Sequence, residues 1–270
     1  MGPVSAIDGR LLRTHFSTHA GDYDSYARVQ KRVVATLAAR LAVTGPLNGL
    51  VLDIGTGTGA LAAELGGDKD GRGFVLTDIA HGMTLAAAHR LPGALVCDGD
   101  AVKLPFLNDS FTVVVSSNVY QWVTNLPAAF CEVARVLRPG CRFAVALFGE
   151  RTLFELRDAH RQAIRECGGQ HPSHVQNFPS AAEVTGALKA AGLVCHDFAC
   201  FPEIDWHPDV PALLRQLKQI GASNAAADQP RGLASRQVMQ RMIARYEKMH
   251  RQSEGLPATY EVICAIAEKV

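Results

Sequence analysis

The sequence predicts an α/β fold with a doubly wound, mostly parallel sheet of seven strands and helices on both faces. Two observations predict it. Short apolar runs of strand length alternate with segments whose apolar residues recur at helical spacing, and a turn with three glycines follows the first apolar run. Strands that are joined through helices form right-handed crossovers, so they lie parallel and are covered on both faces.

The individual elements follow from these patterns in chain order. The segment DYDSYARVQKRVVATLAARLA at 22–42 is predicted to be one helix, because Asp22 or Asp24 can cap it and its apolar residues have helical spacing. Uniformly apolar runs predict the strands, and longer amphipathic segments predict the helices between them. The strands are predicted at 50–54, 73–77, 94–97, 111–116, 141–148, 193–201 and 259–269. The connecting helices are predicted at 59–66, 81–90, 126–137, 152–166 and 180–191.

One stretch near the end of the chain departs from this alternation. Residues 205–255 are predicted to be helices broken at GASNAAADQPRG, and TYEVICAIAEK then returns to a strand pattern. The predicted organisation is a core with an N-terminal helix at 1–204, a helical lid inserted at 205–255, and the last strand of the core sheet at 256–270.

Composition limits the classes of function. The formal net charge is +1, which argues against nucleic-acid binding driven by bulk charge. No apolar run has the length of a membrane span, and the start MGPVSAIDGRLLRTHF lacks a signal-peptide core, so a cytoplasmic protein is expected. The seven cysteines are scattered without a C-x-x-C pair, which predicts buried free thiols and no metal site.

The stretch VLDIGTGTGALA at 51–62 is interpreted as a buried strand and a glycine-rich turn. Such turns hold the charged or ribose end of a nucleotide-like ligand against a helix N-terminus. Gly55, Gly57 and Gly59, followed by Ala60, fit the dinucleotide pattern G-x-G-x-x-G/A. They also fit the D-x-G-x-G-x-G turn of S-adenosylmethionine enzymes, so the turn alone leaves both ligands open.

Acidic residues at the ends of the predicted strands narrow the choice of ligand. In a parallel α/β sheet the ligand lies beyond the carboxyl ends of the strands. Asp53 would lie beside the glycine turn, where it would repel a pyrophosphate and attract the sulfonium and ammonium groups of S-adenosylmethionine. Asp78 can accept the two ribose hydroxyls, and Asp98 and Asp100 suit the adenine amino group.

Four successive segments carry a family resemblance over residues 50–149. VLDIGTGTG, TDIAHGM, CDGDAVKLPFLNDSFTVVVSSNVYQW and VARVLRPGCRFAVALFG resemble class I S-adenosylmethionine-dependent methyltransferases of the small-molecule type. The resemblance implies a Rossmann-like methyltransferase sheet and S-adenosylmethionine as cofactor, although Thr56 stands where cysteine or alanine is common. The expected cofactor-binding residues are Gln30, Asp53, Gly55, Gly57, Asp78, Ile79, Met83, Asp98, Asp100, Ala101, Ser116 and Ser117.

A second resemblance spans nearly the whole chain. The chain is similar to the malonyl-[acyl-carrier protein] O-methyltransferases of biotin synthesis in FSTHAGDYDSYARVQKRV, SSNVYQW, GERTLFELRDA, NFPSAAEV, LLRQLKQIGASN and GLPATYEVICAIA. This similarity implies esterification of the free carboxylate of a malonyl thioester, so that fatty-acid synthesis can elongate it toward pimelate. The implied partner is malonyl-acyl-carrier protein or malonyl-coenzyme A, and the protein is expected to be a monomer.

The chemistry of a carboxylate acceptor sets what the site must contain. A carboxylate is ionised at neutral pH and needs no general base, and none of the ten histidines stands in a partnered motif. The residues expected to act in catalysis at the pocket mouth, in contact with substrate or cofactor, are Tyr23, Tyr26, Gln121 and Trp122.

Cations are expected to recognise the substrate. A fixed cation should orient the malonyl carboxylate, and the candidates are Arg151, Arg215 and Lys218. The predicted insertion contains eight lysines and arginines against five acids, which predicts a landing surface for an acidic carrier protein.

Three alternatives stay open at this point. A related methyltransferase could act on a quinone ring, a sterol or another small molecule, and it would need a base near the site. A non-catalytic S-adenosylmethionine-binding partner protein is the second, and the intact Asp53, Asp78 and Asp100 argue against it. An NAD-dependent oxidoreductase is the third and weakest.

Overall fold

A seven-stranded sheet forms the centre of the computed structural model, which describes residues 9–67, 73–168, 178–220 and 236–270. The strands are β1 (Val51–Ile54), β2 (Phe74–Asp78), β3 (Leu95–Asp98), β4 (Phe111–Ser117), β5 (Leu137–Phe148), β6 (Leu193–His207) and β7 (Leu256–Lys269). They lie in the order β3-β2-β1-β4-β5-β7-β6. Strands β1 to β5 are parallel, and β7 is antiparallel to both β5 and β6. The predicted mostly parallel α/β sheet is confirmed.

Helices cover both faces of this sheet. They are α1 (Gly9–His19), α2 (Tyr23–Tyr26), α3 (Arg28–Val43), α4 (Ala60–Glu64), α5 (His81–Arg90), α6 (Leu126–Val136), α7 (Phe154–Glu166), α8 (Ala181–Ala190), α9 (Val210–Gln219) and α10 (Arg236–His250). Helices α3, α7 and α10 contribute to the core on one face, and α6 and α8 contribute to the core on the other. No helix in the described ranges is long and apolar enough to cross a membrane.

The single helix predicted over 22–42 is wrong in one respect, because the structure breaks it at Ala27 into α2 and α3. Ala27 leaves helical geometry, with φ −79° and ψ 49°. Just before the break, the carbonyl of Tyr26 accepts a hydrogen bond of 3.2 Å from the side-chain amide of Gln216 on α9. A contact from a distant element therefore accompanies the break.

Helix α1 lies outside the elements predicted from the sequence. It packs against the start of α5, where the N–H of Gly82 donates to the hydroxyl of Ser17 at 3.3 Å. The two backbones are so close that a Cβ at Gly82 would lie 2.6 Å from the carbonyl oxygen of Ser17. The glycine thus permits α1 to cover the carboxyl end of the sheet.

The end of β6 differs from the predicted start of the helical insertion. Residues 205–207 belong to β6, which pairs with β7 up to the register His207↔Leu256. The helical part begins with α9, where the carboxylate of Asp209 accepts a capping hydrogen bond of 2.7 Å from the N–H of Ala212. The sequence GASNAAADQPRG, predicted to break the helices, lies outside the described residues.

An aromatic cluster holds the end of β4 against the core to which α6 and α8 contribute. Tyr120, Phe130 and Phe143 are fully buried and meet edge to face, with ring centroids 4.9 to 6.1 Å apart. Burial of one such side chain stabilises the fold by about 1.5–3 kcal/mol. The loop that follows β4 therefore starts from a rigid position.

The seven cysteines are all free, as predicted, but the prediction that they are buried is wrong for several of them. Cys264 is buried on β7, and burial raises the pKa of its thiol to about 12. Cys131, Cys195 and Cys200 are exposed. The last two lie on β6, which is an edge strand and has one side open to solvent.

Candidate active site

A cavity of about 610 Å³ opens at the carboxyl ends of β1, β2 and β4. The order of the strands reverses here, because β1 lies between β2 and β4, and sheets of this type bind their ligands at such a point. The residues predicted from the sequence that do line the cavity are Tyr23, Gln30, Asp53, Gly55, Gly57, Asp78, Ile79, Met83, Asp100, Ala101, Ser117 and Trp122. The structure thus brings most of the predicted cofactor site together.

The glycine-rich turn forms the floor of the cavity in a conformation that side chains disfavour. Gly55, Gly57 and Gly59 have φ angles of 64°, 56° and 81°, in the left-handed region. A Cβ at Gly55 would lie 2.2 Å from a methyl group of Val119, in the loop after β4. The turn therefore packs directly on the opposite wall.

Two buried carboxylates, Asp53 and Asp78, lie beside the turn. Asp53 accepts a hydrogen bond of 2.8 Å from the hydroxyl of Thr56. Asp78 accepts one from the N–H of Gly57 at 2.9 Å and one from the N–H of Ala80 at 2.8 Å. These bonds fix both carboxylates at the cavity wall.

The electrostatics of these carboxylates favour a cationic ligand. Burial raises the pKa of Asp53 to about 7, with a further rise from the neighbouring Asp78, although the Thr56 hydroxyl opposes it. Burial also raises the pKa of Asp78 to about 6, against the lowering effect of its backbone hydrogen bonds. Each rise reflects the cost of burying an ionised carboxylate. A cation placed between them would favour both ionised forms.

Two predicted cofactor contacts, Asp98 and Ser116, do not line the cavity. The carboxylate of Asp98 lies 2.9 Å from a ring nitrogen of His81 and accepts a hydrogen bond of 2.6 Å from Thr84. Ser116 is fully buried, and its hydroxyl donates to the carbonyl of Ile54 at 2.8 Å. Both side chains support the strand ends in this geometry, and their contact with a cofactor stays a prediction.

Asn118, directly after β4, presents an unsatisfied acceptor at the cavity wall. Its backbone is left-handed, with φ 61°, and its side-chain NH₂ donates to the hydroxyl of Ser117 at 2.8 Å. The side-chain oxygen is buried, and no described residue donates to it. Because a buried acceptor without a donor is costly, this oxygen suits an N–H of a ligand.

An aromatic group lines the cavity. Phe16 of α1 contacts the rings of Tyr23 and Trp122 edge to face, at centroid distances of 6.3 and 5.7 Å. Burial raises the pKa of the Tyr23 phenol well above its ordinary value, and the charges of Asp78 and Asp24 add to the rise. Tyr23 is therefore a protonated hydrogen-bond donor at neutral pH.

Tyr26 and Gln121, the other two residues expected at the reacting groups, do not line the cavity. Tyr26 contributes its carbonyl to the contact with α9. Gln121 is buried, and its amide donates to the carbonyl of Asn118 at 2.9 Å. Both residues make contacts that hold the loop after β4 and the helix break in place next to the cavity. A direct catalytic role for them stays a prediction.

The three predicted substrate-binding cations also lie away from the cavity wall. Arg151 is exposed after β5, with its guanidinium 5.8 Å from the ring centroid of Phe154. Arg215 and Lys218 are exposed on α9, whose buried residues include Leu213. The apolar side of α9 faces the fold, which leaves these two cations on its outer side. Of the described residues, Lys31 on α3 is the cation that lines the cavity.

A polar contact between α2 and the glycine turn has no local signal in the sequence. Asp24 accepts a hydrogen bond of 2.8 Å from Thr58 and forms an ion pair with Arg90 at the end of α5. Arg90 also donates to the hydroxyl of Thr58 at 3.1 Å. The sequence marked Asp24 only as a candidate helix cap, yet here it joins three elements around the cavity.

A second polar network joins the helix break to α9 and β6. The buried carboxylate of Asp205 lies 3.0 Å from the guanidinium of Arg28, 3.0 Å from the amide of Gln216 and 3.3 Å from the ring of His207. Burial alone would raise the pKa of Asp205, but the nearby ring of His207, the hydrogen bond from Gln216 and the charge of Arg28 hold it below its ordinary value. The network fixes the segment that carries Tyr23.

We expect Asp205→Ala to lower the free energy of unfolding by about 1–2 kcal/mol, because the half-buried amide of Gln216 loses its acceptor and the buried ring of His207 loses a neighbouring carboxylate. Urea denaturation at pH 7 measures the change. Since its pKa is lowered in the folded protein, the Asp205 contribution is present at neutral pH and is lost as pH falls through that lowered pKa. The difference between the two proteins should therefore shrink in acid.

Glu203 lies on the same strand as Asp205, and its ion pair with Arg32 of α3 is more exposed than the Asp205 network. Glu203→Ala is therefore a matched control for this prediction. We expect it to cost less than about 1 kcal/mol. Equal stability of Asp205→Ala and the unmodified protein would contradict a stabilising role for the network.

The comparisons with known proteins agree with this geometry. Residues 52–145 match the family model described as a methyltransferase domain. The malonyl-[acyl-carrier protein] O-methyltransferase of Geobacter sulfurreducens is 39% identical over 268 residues, which cover 97% of this chain and 100% of that protein. The protein of the same name from Methylococcus capsulatus is 33% identical, with 100% and 97% covered. The solved structure of the YcgJ protein of Bacillus subtilis has a TM-score of 0.59 at 18% identity, covering 87% of this chain and 98% of that one, which shows the shared fold.

Proposed function

This chain belongs to the malonyl-[acyl-carrier protein] O-methyltransferase family, and we propose that it transfers a methyl group from S-adenosylmethionine to the free carboxylate of malonyl-[acyl-carrier protein] in biotin synthesis. The observation that carries the proposal is the similarity over the full length of those relatives, beyond the methyltransferase domain alone. The whole of the α9 and α10 region, which the domain model does not cover, lies within that similarity.

The cavity residues fit S-adenosylmethionine. Asp53 and Asp78 favour a cation, and the buried oxygen of Asn118 can accept from its ammonium group. Asp78 can also accept from ribose hydroxyls, and Ile79 and Met83 offer apolar surface to an adenine ring. Bound there, S-adenosylmethionine would supply a methyl group that its sulfonium already activates.

The remaining cavity residues support an acceptor that needs no deprotonation. No histidine is among the described residues that line the cavity. Tyr23 is protonated at neutral pH and can donate a hydrogen bond to a carboxylate, but it cannot act as a base there. The rings of Phe16 and Trp122 offer apolar surface on the cavity wall. The protein's contribution is thus alignment and desolvation of an acceptor that is already ionised.

The carrier protein is proposed to approach the cations of α9 and α10. Arg215 and Lys218 are exposed on α9, and Arg241 and Arg245 of α10 share one acid, Glu166, at 3.9 and 3.3 Å. A net positive surface of this kind attracts an acidic partner at long range. Two charges of the predicted insertion, Arg231 and Asp228, lie outside the described residues. The cytoplasmic location and the monomeric state expected from the sequence stay predictions.

Transfer of labelled methyl from S-adenosylmethionine to malonyl-acyl-carrier protein tests the proposed function. We expect product with the malonyl thioester and none with the acetyl thioester, which lacks the free carboxylate. At saturating S-adenosylmethionine, the single-turnover rate should stay constant between pH 6 and pH 8, because the acceptor is ionised throughout.

A small phenol and a small amine serve as alternative acceptors in the same assay. Methylation of either in place of the malonyl thioester would contradict the proposed function. A rate that falls about tenfold from pH 8 to pH 6 at saturating S-adenosylmethionine would indicate a general base and a different acceptor.

A further inference from the structure

Lys31 stands on the side of α3 that faces the cavity. Four residues of this segment line the wall: Ala27, Gln30, Lys31 and Val34. Their spacing of i, i+3, i+4 and i+7 places them on one face, so the side chain of Lys31 belongs to a continuous stripe against the cavity. The arginines on either side of Lys31 have other partners.

Arg28 and Arg32 both pair with carboxylates of β6. Arg28 lies 3.0 Å from Asp205, and Arg32 lies 2.7 Å from Glu203. Lys31 makes no ion pair or side-chain hydrogen bond with any residue in the described ranges. The first turns of α3 therefore use two cations to fasten the fold and leave a third at the cavity.

The acids around the cavity do not account for this lysine. Asp24 is already paired with Arg90 and Thr58. Asp53, Asp78 and Asp100 accept their hydrogen bonds from Thr56 and from backbone N–H groups. An anion brought by a ligand is the group that an uncommitted ammonium at this wall can bind.

Both ligands of the proposed reaction carry a carboxylate. S-adenosylmethionine has one on its methionine part, and the malonyl group has the one that accepts the methyl. A carboxylate that enters a partly buried site loses water, and a cation with a hydrogen-bond donor offsets much of that cost. On this basis, which rests on the proposed function, we propose that Lys31 binds a ligand carboxylate in the cavity.

Lys31→Met removes the charge and keeps most of the apolar stem. Calorimetry measures the dissociation constants of S-adenosylmethionine and of its decarboxylated form, and steady-state assays measure the KM for malonyl-acyl-carrier protein. Lys189→Met, an exposed lysine of α8 on the far face, controls for loss of one positive charge. Lys31→Arg should restore whichever property Lys31→Met loses.

The two carboxylates give different results. If Lys31 holds the donor carboxylate, S-adenosylmethionine binds about tenfold more weakly, equivalent to about 1.4 kcal/mol, while the decarboxylated form binds no more weakly than before. If it holds the malonyl carboxylate, both donor affinities are unchanged and the KM rises about tenfold with little change in kcat.

Unchanged dissociation constants and an unchanged KM would overturn the proposal. An equal loss of affinity for both donor forms would also overturn it, because that loss does not depend on a carboxylate. If the unmodified protein transfers no methyl group to malonyl-acyl-carrier protein, the proposed function fails, and the two donor affinities alone then decide whether Lys31 binds a carboxylate.

Discussion

We expect Asp78→Ala to weaken the binding of S-adenosylmethionine by about 1.5–3 kcal/mol, or roughly tenfold to more than a hundredfold in the dissociation constant. The carboxylate of Asp78 is fixed at the cavity wall by the N–H groups of Gly57 and Ala80. Its replacement removes an acceptor pair for the ribose hydroxyls. It also releases the N–H of Gly57 and so loosens the glycine turn. Titration calorimetry at pH 7.5 measures the effect.

The control is Asp158→Ala. The carboxylate of Asp158 on α7 pairs with Arg161, is exposed and does not line the cavity. We expect it to change the affinity by less than about threefold. An unchanged dissociation constant in a folded Asp78→Ala protein would remove Asp78 from the cofactor site.

The second large effect concerns pH. The pKa of Asp53 is about 7 and that of Asp78 about 6 in the ligand-free protein. A fixed cation binds their ionised forms better, so binding releases protons and becomes weaker as pH falls. If binding requires both ions, the affinity for S-adenosylmethionine should be about a hundredfold lower at pH 5.5 than at pH 8. Above pH 8 the affinity should level off.

The same pKa values determine whether the stability of the fold rises or falls with pH. A carboxyl whose pKa is raised by folding holds more protons in the folded state than in the unfolded state between the two pKa values. The ligand-free protein should therefore lose stability as pH rises from about 4 to about 7, as far as these two groups contribute. Ligand binding and ligand-free stability thus change with pH in opposite directions.

Asp53→Asn separates the two groups. It removes the loss of affinity that protonation of Asp53 causes near pH 7 and leaves the loss caused by protonation of Asp78. The total loss of affinity between pH 8 and pH 5.5 should then shrink to about fourfold. Thr56, which donates to Asp53, can donate to the amide oxygen instead. An affinity that does not vary with pH in the unmodified protein would show that no ligand cation depends on these carboxylates.

The sheet and the glycine turn could be predicted because their signals are local. Strand-length apolar runs identified every strand of the sheet, and the left-handed turn at 55–59 requires glycines that the sequence displays. The acids at the carboxyl ends of β1 and β2 followed from topology, since parallel strands bring those ends to one edge. Asp53 and Asp78 therefore meet in the structure as the sequence predicted.

The features that the sequence did not predict depend on contacts between distant residues. The helix break at Ala27 is accompanied by a hydrogen bond from Gln216, 190 residues away from Tyr26. Helix α1 carries the apolar residues Leu12 and Phe16 one turn apart. Their part in lining the cavity is visible only in the folded structure, where Phe16 contacts the ring of Trp122. No local pattern contains such information.

The choice of cations shows the same limit. Arg215 and Lys218 are candidates by their place in the predicted insertion, yet α9 turns them outward. Lys31 carries no local signal, because a lysine among arginines on one helix is typical of a solvated face. Its position becomes informative only when the cavity is known to lie against the Gln30 side of α3.

The position of β7 has a consequence for how the chain is assembled during synthesis. This strand is the last in the sequence, yet it lies between β5 and β6 in the sheet. Within the described residues β6 pairs with β7 alone, so its long edge has no neighbour until the ribosome has passed α9 and α10. The strands that carry the glycine turn can pair earlier. The open edges of β5 and β6 are then the surfaces on which a nascent chain is most exposed to wrong pairing or to aggregation.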